Sequence, residues 1–160
     1  MEKDEYRKHF ELEEDFWWFA GKRAMIGAVL SKHLPADHGE RMLDIGCGTG
    51  YNLIFFQDYF NGFGGDLSAD ALFFAKKRNL KKLVQADARH LPFKDGSFAF
   101  ISLLDVLYHK KIESDVSVLR EVQRVLNEDG LLLITDSAFL PMRSSTQRRL
   151  WQHTTSSITK

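Results

Sequence analysis

The sequence has a single cysteine, Cys47, which rules out an internal disulfide and fits a reducing cytoplasm. No apolar run approaches the length that spans a bilayer, so no membrane partner is expected. The N-terminus is charged from Glu2 to Lys8 and has no apolar core of a secretory signal. Excess charge of one sign is missing as well: 22 Lys and Arg balance 22 Asp and Glu. Those cations are dispersed rather than striped, which argues against a nucleic-acid groove. Six histidines (His9, His33, His38, His90, His109, His153) show no ligand spacing, so no metal site is expected. At 160 residues the chain is expected to form one domain with a substantial core.

What the chain does have is concentrated in Leu43-Asp44-Ile45-Gly46-Cys47-Gly48-Thr49-Gly50. A strand from Met42 to Ile45, apolar except for Asp44, runs into three alternating glycines and then into a helix starting near Tyr51. Glycine has no Cβ, so such a loop turns sharply and lets a ligand lie against its amides. A carboxylate in an apolar strand costs several kcal/mol of desolvation unless partnered, so Asp44 is expected to meet loop amides or a bound cation. Cys47, between the glycines, reads as small-residue packing rather than as a nucleophile.

Three cofactor classes compete for a strand–glycine-loop–helix unit. A phosphate-cradling loop needs Gly-Lys-Ser/Thr at its end, and no such triplet occurs. Dinucleotide folds want Gly-x-Gly-x-x-Gly; here the last glycine falls one residue early, at Gly50, and Tyr51 stands where that pattern asks for glycine. The third class is S-adenosylmethionine, whose reactive end is a sulfonium cation. Charge favours it: from Met42 through Ala75 there is no Lys, Arg or His, while Asp44, Asp58, Asp66 and Asp70 all lie there. A pyrophosphate recruits positive charge, whereas a sulfonium is repelled by it. Asp58 and Asp70 read as cap and turn residues; Asp44 and Asp66 read as site residues.

Periodicity predicts helices over Lys3–Glu13 and Asp15–Leu34, the second with Trp18, Met25, Val29 and Leu30 recurring at helical spacing. A helix from Tyr51 to about Tyr59, a strand over Gly62–Asp66, and a helix capped by Ser68 and reaching Lys77 follow. Leu83–Ala86 is a short strand, Asp87–Gly96 a loop, and Phe98–Leu104 a continuous apolar run suited to a buried parallel strand. A helix from Ser114 to Leu126 leads through Asp129-Gly130 to a fifth strand, Leu131–Thr135. The order implies an α/β, doubly wound, mostly parallel sheet of about five strands. It divides into an N-terminal helical cap (1–36), a cofactor-binding core (40–136) and an atypical short tail (137–160). Ligands of such sheets sit beyond the carboxyl ends of the strands, where strand order reverses.

These motifs, in this order, make the chain resemble the class I S-adenosylmethionine-dependent methyltransferases, type 11 branch, from roughly Glu14 to Asp136. The glycine loop is similar to the family's first motif, assigning Asp44, Gly46, Cys47, Gly48 and Gly50 to the cofactor. Gly64-Gly65-Asp66-Leu67-Ser68 looks like the second strand's end, with Asp66 on the ribose hydroxyls. Its distance from Gly46 agrees with the roughly 20 residues expected of a ribose-binding acid. Ala86-Asp87-Ala88, Leu91-Pro92-Phe93 and Gly96-Ser97-Phe98 resemble the adenine-contacting loop. There Asp87 would accept from the adenine amino group, and Leu67 and Leu91 would sandwich the purine. Arg124-Val125-Leu126 and Gly130-Leu131-Leu132-Leu133-Ile134 look like the passage to strand five. Leu104 looks like the residue whose carbonyl helps hold the methionine amino group.

The resemblance implies methyl transfer to an unidentified small-molecule acceptor. Asp105, Tyr108 and His109 border the methyl pocket in that picture, with His109 and Asp105 as catalytic candidates and His109 able to titrate near neutral pH. Phe16-Trp17-Trp18-Phe19 with Lys22-Arg23 resembles a signature of some bacterial type 11 enzymes. Adjacent helical positions are about 100° apart, so four consecutive aromatics cannot all face one core; some are expected at the cofactor mouth or in the acceptor pocket. The family normally continues past strand five with a helix and a hairpin, and only 24 residues follow Asp136. That leaves strand five as an exposed edge, so a homodimer covering it is expected. It also leaves open a non-catalytic remnant that binds S-adenosylmethionine without turning it over.

Overall fold

The computed structural model describes residues 3–33, 39–107 and 114–135. Two helices, α1 (Lys3–Leu12) and α2 (Trp17–His33), precede β1 (Arg41–Ile45). Then come α3 (Tyr51–Phe56), β2 (Asn61–Asp66), α4 (Ala69–Lys77), β3 (Leu83–Gln85), β4 (Phe98–Leu104), α5 (Asp115–Val125) and β5 (Leu126–Thr135). Among the described residues the strands form one sheet in the order β3-β2-β1-β4-β5, every pair parallel. The order reverses between β1 and β4, so the crevice of a doubly wound sheet opens above β1.

Parallel strands are covered on both faces, and the side-chain period of two divides the core accordingly. Met42 of β1 and Phe100 of β4 join Ile26 and Leu30 of α2 and Leu53 and Phe56 of α3 on one side. Leu43 and Ile101 join Val118, Val122 and Val125 of α5 on the other. Phe60 stacks on Phe100 with ring centroids 4.7 Å apart, closing the lower end of the first cluster.

Two details differ from the sequence expectation. In α2 the buried apolar residues are Ile26 and Leu30, while Trp18, Met25 and Val29 are 55%, 59% and 44% exposed. The helix is apolar on two faces, so periodicity could not say which one meets the sheet. The fifth strand begins at Leu126, directly after α5, rather than at Leu131. Phe98 pairs with Leu126 and Phe100 with Leu131. The polar residues Asn127, Glu128 and Asp129, all exposed, are therefore carried as an excursion inside the strand instead of a turn before it. Ser114 precedes α5 in extended conformation but makes no side-chain cap bond, whereas Ser68 accepts from the Ala71 amide at α4.

Candidate functional site

A cavity of about 250 Å3 lies beyond the carboxyl ends of β1, β2 and β4. Its floor starts with the glycine loop. Gly46 and Cys47 donate their amides to the Gly65 carbonyl at 2.7 and 3.1 Å, pinning the start of the loop to β2. Gly46, Gly48 and Gly50 all have left-handed backbone (φ 74, 55 and 86), which side chains with a Cβ adopt at a cost. At Gly48 a Cβ would meet nothing within 4 Å, because that position faces the cavity. At Gly50 it would overlap Leu80 Cδ1 and lie 3.1 Å from Ala75 Cβ. One glycine keeps the ligand side open; the other lets α3 close against α4.

Asp66 ends β2 in the cavity wall. Its Oδ2 accepts from the Gly48 amide at 2.9 Å and its Oδ1 from the Ser68 amide at 2.8 Å, so one carboxylate fixes both the loop and the start of α4. Leu67, beside it, is half-exposed over the cavity. After β3 the wall continues with Asp87, Ala88 and Leu91. Asp87 accepts from Arg89 through both oxygens, with Arg89 Nη2 at 2.6 Å from Oδ2. Those side-chain and backbone bonds hold the Asp87 carboxyl down at about 2.

Leu104 and Asp105 close the wall at the end of β4. Asp105 is a non-glycine residue in left-handed backbone (φ 58). Its amide donates to the Thr135 carbonyl at 2.9 Å, and Lys22 Nζ donates to its Oδ2. Asp105 is thus held from both sides in the cavity wall. His109 and Tyr108 lie outside the described residues.

Asp44 and Gly50, both expected at the cofactor, stand behind the wall rather than in it. Asp44 is 1% exposed and does not reach the loop amides. Its Oδ1 accepts from the Ser102 hydroxyl of β4 at 2.6 Å, and its Oδ2 has no protein partner. The loop amides turn instead toward Gly65 and Asp66. Burial pushes the Asp44 carboxyl up to about 7, against the lowering pull of Ser102. Cys47 does line the cavity, but burial lifts its thiol well above the usual range, which suits packing and not nucleophilic attack.

For the roof, the sequence places some of the four aromatics from Phe16 to Phe19 at the mouth, but it does not single out Tyr6, His9 or Glu13. Tyr6, His9, Glu13, Phe19 and Lys22 line the cavity from α1, the turn after it and α2. Tyr6 packs with Phe10 on Ala71 and Phe74 of α4. Thr49 of the glycine loop donates its hydroxyl to Glu13, whose carboxyl burial lifts above its usual range. Arg78 ties these parts together: its Nη2 donates to the Phe10 carbonyl at 2.7 Å and lies 3.5 Å from Glu13, and its Nε donates to the Thr49 carbonyl at 3.2 Å. The four-residue spacing of Tyr6 and Phe10 was the available signal that α1 docks one face. Of the aromatic run, Phe19 lines the cavity, while Phe16, Trp17 and Trp18 are exposed.

The chemistry of this enclosure is that of a cation-tolerant nucleoside site. Glu13, Asp66, Asp87 and Asp105 face it, and the lysine in its wall, Lys22, is paired with Asp105. A carboxylate beside the unobstructed face of a glycine suits a vicinal diol, and Leu67, Ala88 and Leu91 offer apolar faces to a flat ring.

A family model described as a methyltransferase domain matches residues 43–134. An uncharacterised methyltransferase of Bacillus subtilis is 32% identical over 139 residues, covering 82% of this chain and 53% of that protein. The 27-O-demethylrifamycin SV methyltransferase of Amycolatopsis mediterranei is 32% identical over 121 residues, 70% of this chain and 44% of its own length. A solved structure from Methanococcus maripaludis, described as an S-adenosyl-L-methionine-dependent methyltransferase, superposes with a TM-score of 0.76 at 18% identity, covering 99% of this chain and 84% of that one. The chain thus spans about half the length of the curated relatives it matches.

Proposed function

Since the chain belongs to the class I S-adenosylmethionine-dependent methyltransferases, type 11 branch, we propose that it carries the cofactor site of an enzyme that methylates a small molecule. The observation that carries this reading is the meeting of Asp66 with the open face of Gly48 in an acid-rich cavity. The residues present fit S-adenosyl-L-methionine: the wall offers carboxylates for its cationic end and its diol, and apolar faces for its base. When bound, that cofactor supplies an electrophilic methyl group on a positively charged sulfur.

The chain's own residues then bind and orient. Asp66 accepts the two ribose hydroxyls, Leu67 and Leu91 flank the adenine, and Asp87 accepts from its amino group beside Ala88. Gly46, Cys47 and Gly48 present loop backbone to the methionine half, and the Leu104 carbonyl takes its ammonium. Asp44, one layer behind, supports the loop from beneath through its bond with Ser102 of β4. Holding an acceptor in line with the methyl group contributes roughly 7–11 kcal/mol of the barrier reduction available to such a reaction. A base is needed only where the acceptor must lose a proton. Asp105 is the candidate in the wall and His109 the candidate next along the chain. In the first role Lys22 must release the Asp105 carboxylate; in the second Asp105 orients rather than accepts.

The relative named for a rifamycin derivative is consistent with a small-molecule acceptor, as is the dispersed Lys and Arg, which favours no nucleic acid. Nothing in the relatives supports a non-catalytic remnant. The reading extends to a cytoplasmic protein, on the lone cysteine; among the described residues no helix is long and apolar enough to cross a membrane. It also extends to a homodimer through β5, which among the described residues has β4 on one side only and exposes Leu131 and Leu132; light scattering that finds only monomer at high concentration rejects that part.

Thermal unfolding with S-adenosylmethionine, S-adenosylhomocysteine and NAD side by side tests the site. At 100 times its dissociation constant, a genuine ligand adds about 2.7 kcal/mol of stability. Stabilisation by the two sulfur nucleosides and not by NAD is expected; the reverse rejects the reading. Transfer of labelled methyl from the cofactor to a metabolite pool then tests turnover.

A further inference from the structure

The stretch between β3 and β4 that carries Asp87, Ala88 and Leu91 into the cavity is held by side chains of α5. Leu91 is gripped at both of its backbone polar groups. Its amide donates to Glu121 Oε1 at 2.6 Å, and its carbonyl accepts from Arg124 Nη2 at 3.0 Å. Arg124 Nη1 reaches further along the same loop, donating to the Phe93 carbonyl at 2.8 Å and to Asp95 Oδ1 at 2.7 Å. The remaining guanidinium donors close on Glu121: Nε to Oε2 at 2.9 Å and Nη2 to Oε1 at 2.7 Å. The Arg124 carbonyl in turn accepts from the Gly96 amide at 2.9 Å. Neither Arg124 nor Glu121 lines the cavity, but the Leu91 side chain, 5% exposed, does.

A planar fork with five fixed donors can span two carbonyls and two carboxylates at once, which a single ammonium cannot. The depth of Leu91 in the cavity is thereby set by α5, which sits in the core through Val118, Val122 and Val125. We propose that Arg124 and Glu121 are positioning residues for base selectivity: they clamp Leu91 and fix the width of the slot that takes the purine, without touching it. The inference rests on the assignment of that slot to adenine.

The test compares S-adenosylhomocysteine with S-inosylhomocysteine, which carries an oxygen in place of the purine amino group. Calorimetry is run at a temperature where circular dichroism shows each protein folded. The wild-type chain is expected to prefer the adenine compound. Arg124→Lys is expected to weaken S-adenosylhomocysteine about tenfold and to bring the ratio between the two compounds close to one, as charged hydrogen bonds set the loop. Glu121→Gln keeps an acceptor for the Leu91 amide, so about a threefold loss with a smaller fall in the ratio is expected. It also serves if the arginine variant does not fold. A merely structural clamp would lower the unfolding temperature and leave the ratio untouched. A selective wild type with equally selective variants therefore overturns the inference while sparing the adenine slot. A wild type that binds neither compound, or both alike, overturns the slot and the inference together.

Discussion

The floor and the roof of the cavity are built on different principles. The floor is backbone: five consecutive residues, Gly46 to Gly50, turned by left-handed glycines and bonded to the Gly65 carbonyl and the Asp66 carboxylate. It is continuous with the buried centre of the sheet. The roof is side chain: Glu13 on Thr49, Arg78 on the Phe10 carbonyl, Lys22 on Asp105, and Tyr6 in a small satellite cluster with Ala71 and Phe74. Structure of the second kind can open without disturbing the first. A ligand enclosed between them is therefore expected to enter and leave through the roof, and the Arg78→Met variant tests this.

That contrast can be broken most forcefully beneath the floor. The Asp44 carboxyl sits at about 7 in the fold against an ordinary 3.8, chiefly because burial disfavours its charge. Below the ordinary value both states hold the proton. Between the two values the folded protein keeps a proton that the unfolded chain has released, so stability falls as pH rises through this window and levels off above about 7. Denaturant unfolding across that range is expected to show the decline, and Asp44→Asn to flatten it; an unchanged slope in the variant assigns the decline elsewhere. Next in size is Gly50→Ala, where left-handed strain and overlap with Leu80 together cost about 2–4 kcal/mol. Gly48→Ala bears only the strain, about 1–2 kcal/mol, because its methyl points into open space; its larger effect is expected on cofactor affinity. Equal destabilisation by the two alanines, read from denaturant midpoints, would erase the distinction between a packing glycine and a ligand-facing one.

The same contrast explains what could be read in advance. The doubly wound, mostly parallel sheet follows from alternating elements, and the floor from glycine spacing and the acid that ends β2, because both are local patterns. Lys22 meets Asp105 across 83 positions and Glu13 meets Thr49 across 36, and no local pattern reports such pairings. Asp44 was rightly singled out as a buried carboxylate, but its partner, Ser102, sits on a strand adjacent in space and not in sequence. The apolar spacing of α2 could not separate Leu30, which packs, from Trp18, Met25 and Val29, which do not, because the helix carries an apolar stripe on each side. The start of β5 was misjudged because Glu128-Asp129-Gly130 has turn composition wherever it occurs, inside a strand or before it.

Within the site, the floor is probed by Asp66→Ala. Loss of charge-assisted bonds to the ribose removes about 1.5–3 kcal/mol of binding, a tenfold or greater loss of S-adenosylmethionine affinity by calorimetry. Unchanged affinity removes Asp66 from the proposed site.

The roof gives the smallest effect and the sharpest one, because it is expected in rate rather than in shape. The Arg78 side chain is 8% exposed and bridges the α1 carbonyl of Phe10, the carboxylate of Glu13 and the loop carbonyl of Thr49, while its guanidinium lies 4.1 Å from the Phe10 ring centroid. Arg78→Met keeps the apolar stem and removes the bridge. The hydrogen bonds lost are worth about 1–2 kcal/mol in total, given that Glu13 then keeps Thr49. The sheet remains, so circular dichroism is expected to be unchanged. S-adenosylhomocysteine is expected to leave several-fold faster in stopped-flow displacement, with little change in its rate of entry if the roof opens before the ligand binds. Limited proteolysis between α1 and α2 is expected to accelerate in parallel. If dissociation and cleavage both stay at wild-type rates, the roof is held by the packing of Tyr6 and Phe10 on α4 instead, and opening would then require α1 to lift from Ala71 and Phe74.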